Sequence, residues 1–89
     1  MWFMVLVMPL ERPALNAKSA VPLYEQAADW IAAHIEDGRL EAGEQLPSER
    51  YLSDDWEIGY QTIRHAMVVL RERGLLVSRQ GKGTFVAGP

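Results

Sequence analysis

The sequence predicts a mostly α fold with a small β-hairpin, a winged helix-turn-helix of three helices plus a wing. Three observations predict it. Apolar residues recur at helical spacing in three separate stretches. Only a tight turn separates the second stretch from the third. Two short β-prone pieces then flank "QGKG", which is a hairpin signature.

The first helix is read in "VPLYEQAADWIAAHIEDGRL". Pro22 suits a first helical turn, Glu25 lies near the positive end of the dipole, and Gly38 suits a left-handed stop. Leu23, Ala27, Trp30, Ile31 and Ile35 make its expected buried stripe, which places Trp30 in the core. His34, beside that stripe, reads as a boundary residue, because no second histidine or carboxylate stands at a metal-ligand spacing from it. "EAGEQLP" follows as a turn and a short extended piece ending at Pro47, since the residue before proline prefers extended geometry.

The second helix begins at Ser48, whose hydroxyl can cap free backbone amides, with Glu49 next to it where the dipole favours a negative charge. Leu52 and Trp56 turn inward, and Tyr51 lies at the edge. The third helix runs over residues 60–73, with Gly74 as its stop and Ile63, Ala66, Met67 and Leu70 on one apolar face. Residues 75–79 and 84–86 form the hairpin strands. In helix-turn-helix proteins the second helix of the pair enters the major groove through its N-terminal residues, here Tyr60, Gln61, Thr62 and Arg64.

The totals narrow the function classes. At 89 residues the chain holds one small core and no deep ligand pocket. With no cysteine there is no disulfide framework, no thiolate metal site and no cysteine nucleophile, so a cytoplasmic location is expected. The net charge of −3 argues against a nucleic-acid partner, but its distribution argues for one. Residues 1–59 carry four basic and eleven acidic groups, whereas residues 60–89 carry Arg64, Arg71, Arg73, Arg79 and Lys82 against Glu72 alone. Such a split points to one face that meets an anion. Arg71 and Arg73 themselves read as solvated charges at a helix end.

Residues 1–20 read as an apolar and linker-like extension ahead of a domain at 21–87. The opening "MWFMVLVM" is too short to span a bilayer, which takes about 20 residues. No basic leader or small-residue cleavage site accompanies it.

"PLYEQ", "G..LPSER", "T.R.A...L...GL" and "QGKGTFV", in that order and spacing between Pro22 and Val86, resemble the DNA-binding domain of the GntR family of bacterial transcription regulators. The resemblance implies a sequence-specific DNA-binding regulator, a repressor, that acts as a homodimer on an inverted-repeat operator in double-stranded DNA, with no membrane and no cofactor. It also implies roles by position. Arg50 is similar to the arginine that reaches DNA from the start of the second helix, with Ser48 beside it. Arg64 matches the arginine that reads a guanine edge, and Thr62 matches a phosphate contact. Gln80, Gly81, Lys82 and Gly83 match the wing tip at the minor groove. Regulators of this kind carry a C-terminal effector domain, which is absent from this chain; it reads as the N-terminal piece of a longer regulator or as a short member.

Three positions depart from the family pattern. Gly59 stands where a serine or threonine is usual, Tyr60 where an arginine is frequent, and Glu57 where glycine is common. The sequence preference is expected to shift toward Arg64 and the wing.

Plainer roles compete with each assignment. Arg50 could pair with Asp54, Thr62 could be an ordinary first-turn residue, Lys82 a solvated hairpin charge, and Tyr60 an edge-packing residue. Catalysis is excluded on context. A phosphate-binding loop needs a hydroxyl directly after the lysine and a following helix, whereas Gly83 and a strand follow Lys82. The competing whole-protein reading is a winged-helix adaptor that binds protein through its acidic front and apolar tail.

Overall fold

The structure, a computed structural model, describes residues 10–88; the apolar opening at 1–8 lies outside the described residues. The elements run α1 (Leu23–Glu36), α2 (Glu49–Trp56), α3 (Tyr60–Glu72), β1 (Leu76–Arg79) and β2 (Gly83–Val86). Three helices and a two-stranded antiparallel hairpin are the predicted winged helix-turn-helix. No helix among the described residues is long and apolar enough to cross a membrane.

α3 is the centre of the molecule. It packs against α1 on one side, α2 on another and β1 at its end. Its buried residues are Ile63, Ala66, Met67 and Leu70, the four that the spacing predicts. On α1 the buried face is turned relative to expectation: Ala27, Ala28, Ile31, Ala32 and His34 are inside. Three alanines on that face let the α3 backbone come close. Leu23, Trp30 and Ile35 are only half-buried, so Trp30 is not a core residue. His34 is deeper than the boundary position read from the sequence. Its Nδ1 lies 2.8 Å from the Trp30 carbonyl oxygen. A carbonyl only accepts, so Nδ1 carries the proton and this buried polar group is satisfied.

Trp30 is half-buried because the chain ahead of α1 covers it. Its indole N–H donates to the Glu11 carbonyl at 3.0 Å, and that of Trp56 donates to the Leu10 carbonyl at 3.3 Å. Pro13 is buried, and Arg12 reaches the Glu57 carboxylate at 3.2 Å and the Asp55 carbonyl at 3.4 Å. The stretch read as linker is therefore held as a strap on α1 and α2. Indole donors need an acceptor once their rings are covered, and here two consecutive strap carbonyls provide it.

α2 starts where the serine predicts: the Ser48 hydroxyl oxygen accepts from the Tyr51 N–H at 3.0 Å. It ends at Glu57 in the left-handed region, with φ 57° and ψ 43°. Ser53 closes the turn by donating its hydroxyl to the Ile58 carbonyl at 2.7 Å. Leu52 and Trp56 are fully buried against α3 and Ile58 packs at the margin.

The hairpin register pairs Leu76 with Val86, Val77 with Phe85, Ser78 with Thr84 and Arg79 with Gly83. Alternation sends Leu76 and Val86 into the core. The short extended piece before Pro47 joins the other edge of β2: Gln45 bridges Phe85, and the Leu46 N–H donates to the Thr84 carbonyl at 2.9 Å. The wing is thereby bound to the segment that leads into α2.

Candidate nucleic-acid interface

The start of α2, the start of α3 and the base of the wing surround one open cleft. Ser48, Arg50, Tyr60, Lys82 and Gly83 all line it, together with Glu49. Five of the ten sequence-predicted site residues thus share one concavity. Gln61 and Arg64 project from the exposed side of α3 next to it, and Gln80 and Gly81 form the exposed tip of the wing. Thr62 is half-buried in the first turn of α3, close to the open end of that helix.

Gly59 caps α3 without a side-chain hydrogen bond. The first N–H groups of a helix have no partner within it, and together with the dipole they favour an anion. A serine hydroxyl at position 59 would accept from one of these donors; glycine supplies no such acceptor, although the Thr62 N–H already donates to the Gly59 carbonyl at 3.0 Å. Ser48 differs. Its oxygen already accepts from Tyr51, which leaves the hydroxyl hydrogen free to donate.

Arg64 has a side chain 58% exposed, and its Nη1 lies 3.6 Å from Glu49 Oε1. Arg50 is exposed, with its guanidinium carbon 4.7 Å from the Tyr60 ring centroid. Its rotamer is set by that ring face and not by Asp54. The Tyr60 hydroxyl donates to Glu49 Oε1 at 3.4 Å. Glu49, read from the sequence only as a helix-dipole residue, is therefore the carboxylate shared by the Arg64 guanidinium and the Tyr60 hydroxyl. Nothing in its spacing marks it for that role, since Arg64 comes from another helix.

The wing is shaped by close approach. The Lys82 N–H donates to the Arg79 carbonyl at 2.9 Å across a turn in which Gly81 has φ 76°. Gly83 has φ 128°, and a Cβ there would meet Gln45 Nε2 at 2.5 Å. That same Nε2 donates to the Lys82 carbonyl at 2.8 Å. Only glycine fits against this clamp while keeping such a backbone angle. Gln45 was not legible as a site-shaping residue, because its contact spans a separation of 37 residues.

Other cations lie elsewhere. Arg71 donates to the Ser78 hydroxyl at 3.1 Å and ties α3 to β1, while Arg73 pairs with Asp29 of α1 at 3.0 Å. Both are helix-end charges open to solvent, as expected, and each also reaches a partner on a neighbouring element. His65 stacks on Tyr24, ring centroids 3.6 Å apart, as a helix-surface residue. Among the described residues no three His, Cys, Asp or Glu side chains cluster as a metal site.

A three-helix core with a hairpin wing, its cations gathered where α2, α3 and the wing meet, defines the winged helix-turn-helix class. Within that class the chain belongs to the family described as bacterial regulatory proteins, gntR family, which matches residues 23–86. The HTH-type transcriptional repressor NagR of Bacillus subtilis is 36% identical over 75 residues, covering 84% of this chain and 31% of that protein. YtrA from Sulfolobus acidocaldarius, a GntR-family transcription factor, superposes with a TM-score of 0.81 at 29% identity, over 89% of this chain and 83% of that one. AraR(DBD) in complex with operator ORX1 gives a TM-score of 0.76 at 34% identity, over 90% of this chain and 99% of that one. The chain spans under a third of the length of the curated relatives NagR and Rv0792c, the latter an HTH-type regulator of Mycobacterium tuberculosis. These relatives are regulators, and the family is one of regulatory proteins and not of enzymes.

Proposed function

We propose that the chain is the sequence-specific DNA-binding part of a cytoplasmic transcriptional repressor, acting as a homodimer on an inverted repeat. The observation that carries this reading is the cleft lined by Arg50 and Lys82, with Arg64 beside it on Glu49: three cations from three elements gather there. The likeness of 90% of the chain to AraR(DBD), described in complex with operator ORX1, supports the DNA partner. The likeness to NagR, described as a repressor, supports the sign of regulation.

In this reading residues 21–87 are the DNA-binding unit, and α3 lies in the major groove. Arg64 exchanges Glu49 for the O6 and N7 acceptors of a guanine, and Arg50 reaches the same groove from α2. Thr62, Gln61, Ser48 and the open N-terminus of α3 hold phosphates, which set register without reading sequence. Lys82 and the glycines beside it bring the wing to the minor groove. Two-fold symmetry then places half-sites about one helical turn apart, roughly 34 Å between recognition helices.

The test begins with a pool of randomised duplexes from which the chain enriches its preferred palindrome. Arg64→Ala is expected to bind that palindrome about 10- to 100-fold more weakly, the range of one bidentate base contact, while keeping its thermal transition. Undiminished binding by both Arg64→Ala and Arg50→Ala overturns the reading.

A further inference from the structure

Tyr60 occupies the first position of α3 and is half-buried, and both faces of its chemistry are already engaged. Its ring carries the Arg50 guanidinium at 4.7 Å, and its hydroxyl donates to Glu49 Oε1 at 3.4 Å. The same oxygen is 3.6 Å from Arg64 Nη1. One side chain therefore joins the cations of two different helices, one through its π face and the other through a shared carboxylate. A phenol with a free face would read as one more DNA contact. This one already carries Arg50 on a ring face and holds Glu49 through its hydroxyl.

We infer that Tyr60 is a positioning residue for the two arginines, which holds Arg50 by cation–π contact and Arg64 through Glu49, and that it sets sequence preference without touching a base. The inference rests on the DNA-binding reading above. A carboxylate on a phosphate-facing surface weakens binding to every duplex through repulsion. Glu49 is shielded by the Arg64 guanidinium at 3.6 Å and by the Tyr60 hydroxyl, and its side chain is 22% exposed. What it provides is order. A long guanidinium side chain loses rotamer freedom when it docks on a base edge; one already held loses less. Preorganisation of this kind acts on the reading of bases, where forked geometry matters, and leaves the diffuse attraction to phosphate unchanged.

The experiment compares the 89-residue chain with Tyr60→Phe, which keeps the ring and removes the hydroxyl, and Tyr60→Leu, which keeps apolar bulk and removes both. Dissociation constants are measured for the enriched palindrome and for a scrambled duplex of equal length across a salt series. For Tyr60→Leu the preference for the palindrome is expected to fall about tenfold, the lower end of one base contact, with scrambled-duplex affinity and salt slope unchanged. Tyr60→Phe is expected to keep more than half of that preference on a logarithmic scale. In free Tyr60→Phe the ring-current-shifted Arg50 Nε–H resonance stays in place and the Arg64 resonance moves. This last readout holds even should Tyr60→Leu melt below the assay temperature.

An unchanged preference in Tyr60→Leu, an equal loss on both duplexes, or an unmoved Arg64 resonance in Tyr60→Phe each overturns the inference. A wild-type chain with no preference for any duplex removes the DNA-binding reading and this inference together. A wild-type preference that Tyr60→Leu leaves intact removes the inference alone.

Discussion

Glu57 holds φ 57° and ψ 43° at the turn between α2 and α3, the only non-glycine residue with positive φ among those described. An L-residue with a Cβ is disfavoured there by about 1–2 kcal/mol. The Arg12 pair across 3.2 Å offsets little, because exposed ion pairs contribute roughly 0–1 kcal/mol. Glycine, common at this position in the family, removes the clash. Comparing Glu57→Gly with Glu57→Ala separates the backbone from the ion pair, since both lose the carboxylate. The glycine variant is expected to be the more stable of the two by about 1 kcal/mol in chemical denaturation. Equal stability would mean that the left-handed turn relaxes in the alanine variant. Arg64, the guanine reader of the proposed function, is held by a single long pair to Glu49.

At the scale of elements, each helix start has its own chemistry. α2 is capped by the Ser48 side chain, whereas α3 is capped by a glycine that offers its first amides no side-chain acceptor. The two helices meet at Glu49, Arg50 and Tyr60, which makes the helix-turn-helix a cross-linked unit. The wing is a separate element whose base is clamped by Gln45 and whose exposed cations are Arg79 and Lys82. Its contribution is electrostatic, so Lys82→Ala is expected to weaken palindromic and scrambled duplexes alike. The slope of log affinity against log salt should become shallower by about one. A slope that does not change would place the wing away from phosphate. The helix-turn-helix order was legible because Ser48, Gly59 and Gly74 punctuate it, and the hairpin because two apolar pieces flank a glycine-rich turn.

At the scale of the whole molecule, stability and function draw on one helix. α3 buries Ile63, Ala66, Met67 and Leu70 on one side and presents Gln61 and Arg64 on the other. Leu70→Ala is expected to cost about 2–5 kcal/mol. A domain of this size has a total stability near the low end of the usual range of about 5–15 kcal/mol. The variant should therefore melt far below the parent in a thermal scan, and DNA affinity should disappear with the fold. A loss below 1 kcal/mol would mean the core collapses around the missing methyls. The charge division follows this geometry only in part: Lys82 and Arg64 of the cationic remainder stand at or beside the cleft with Arg50 of α2, whereas Arg71 and Arg73 reach β1 and α1.

Periodicity and punctuation act over a few residues, so the elements, their order and the apolar face of α3 could be read directly from the chain. The same holds for Arg64 as an exposed cation, because it lies off the face that Ile63, Ala66, Met67 and Leu70 make at helical spacing. Contacts over long separations could not be read. Strap carbonyls satisfy Trp30 and Trp56, Gln45 fits against a glycine far along the chain, and Glu49 stands between Tyr60 and Arg64. Each depends on where two elements come to rest against one another, which is set by packing across the core and leaves no mark in local spacing.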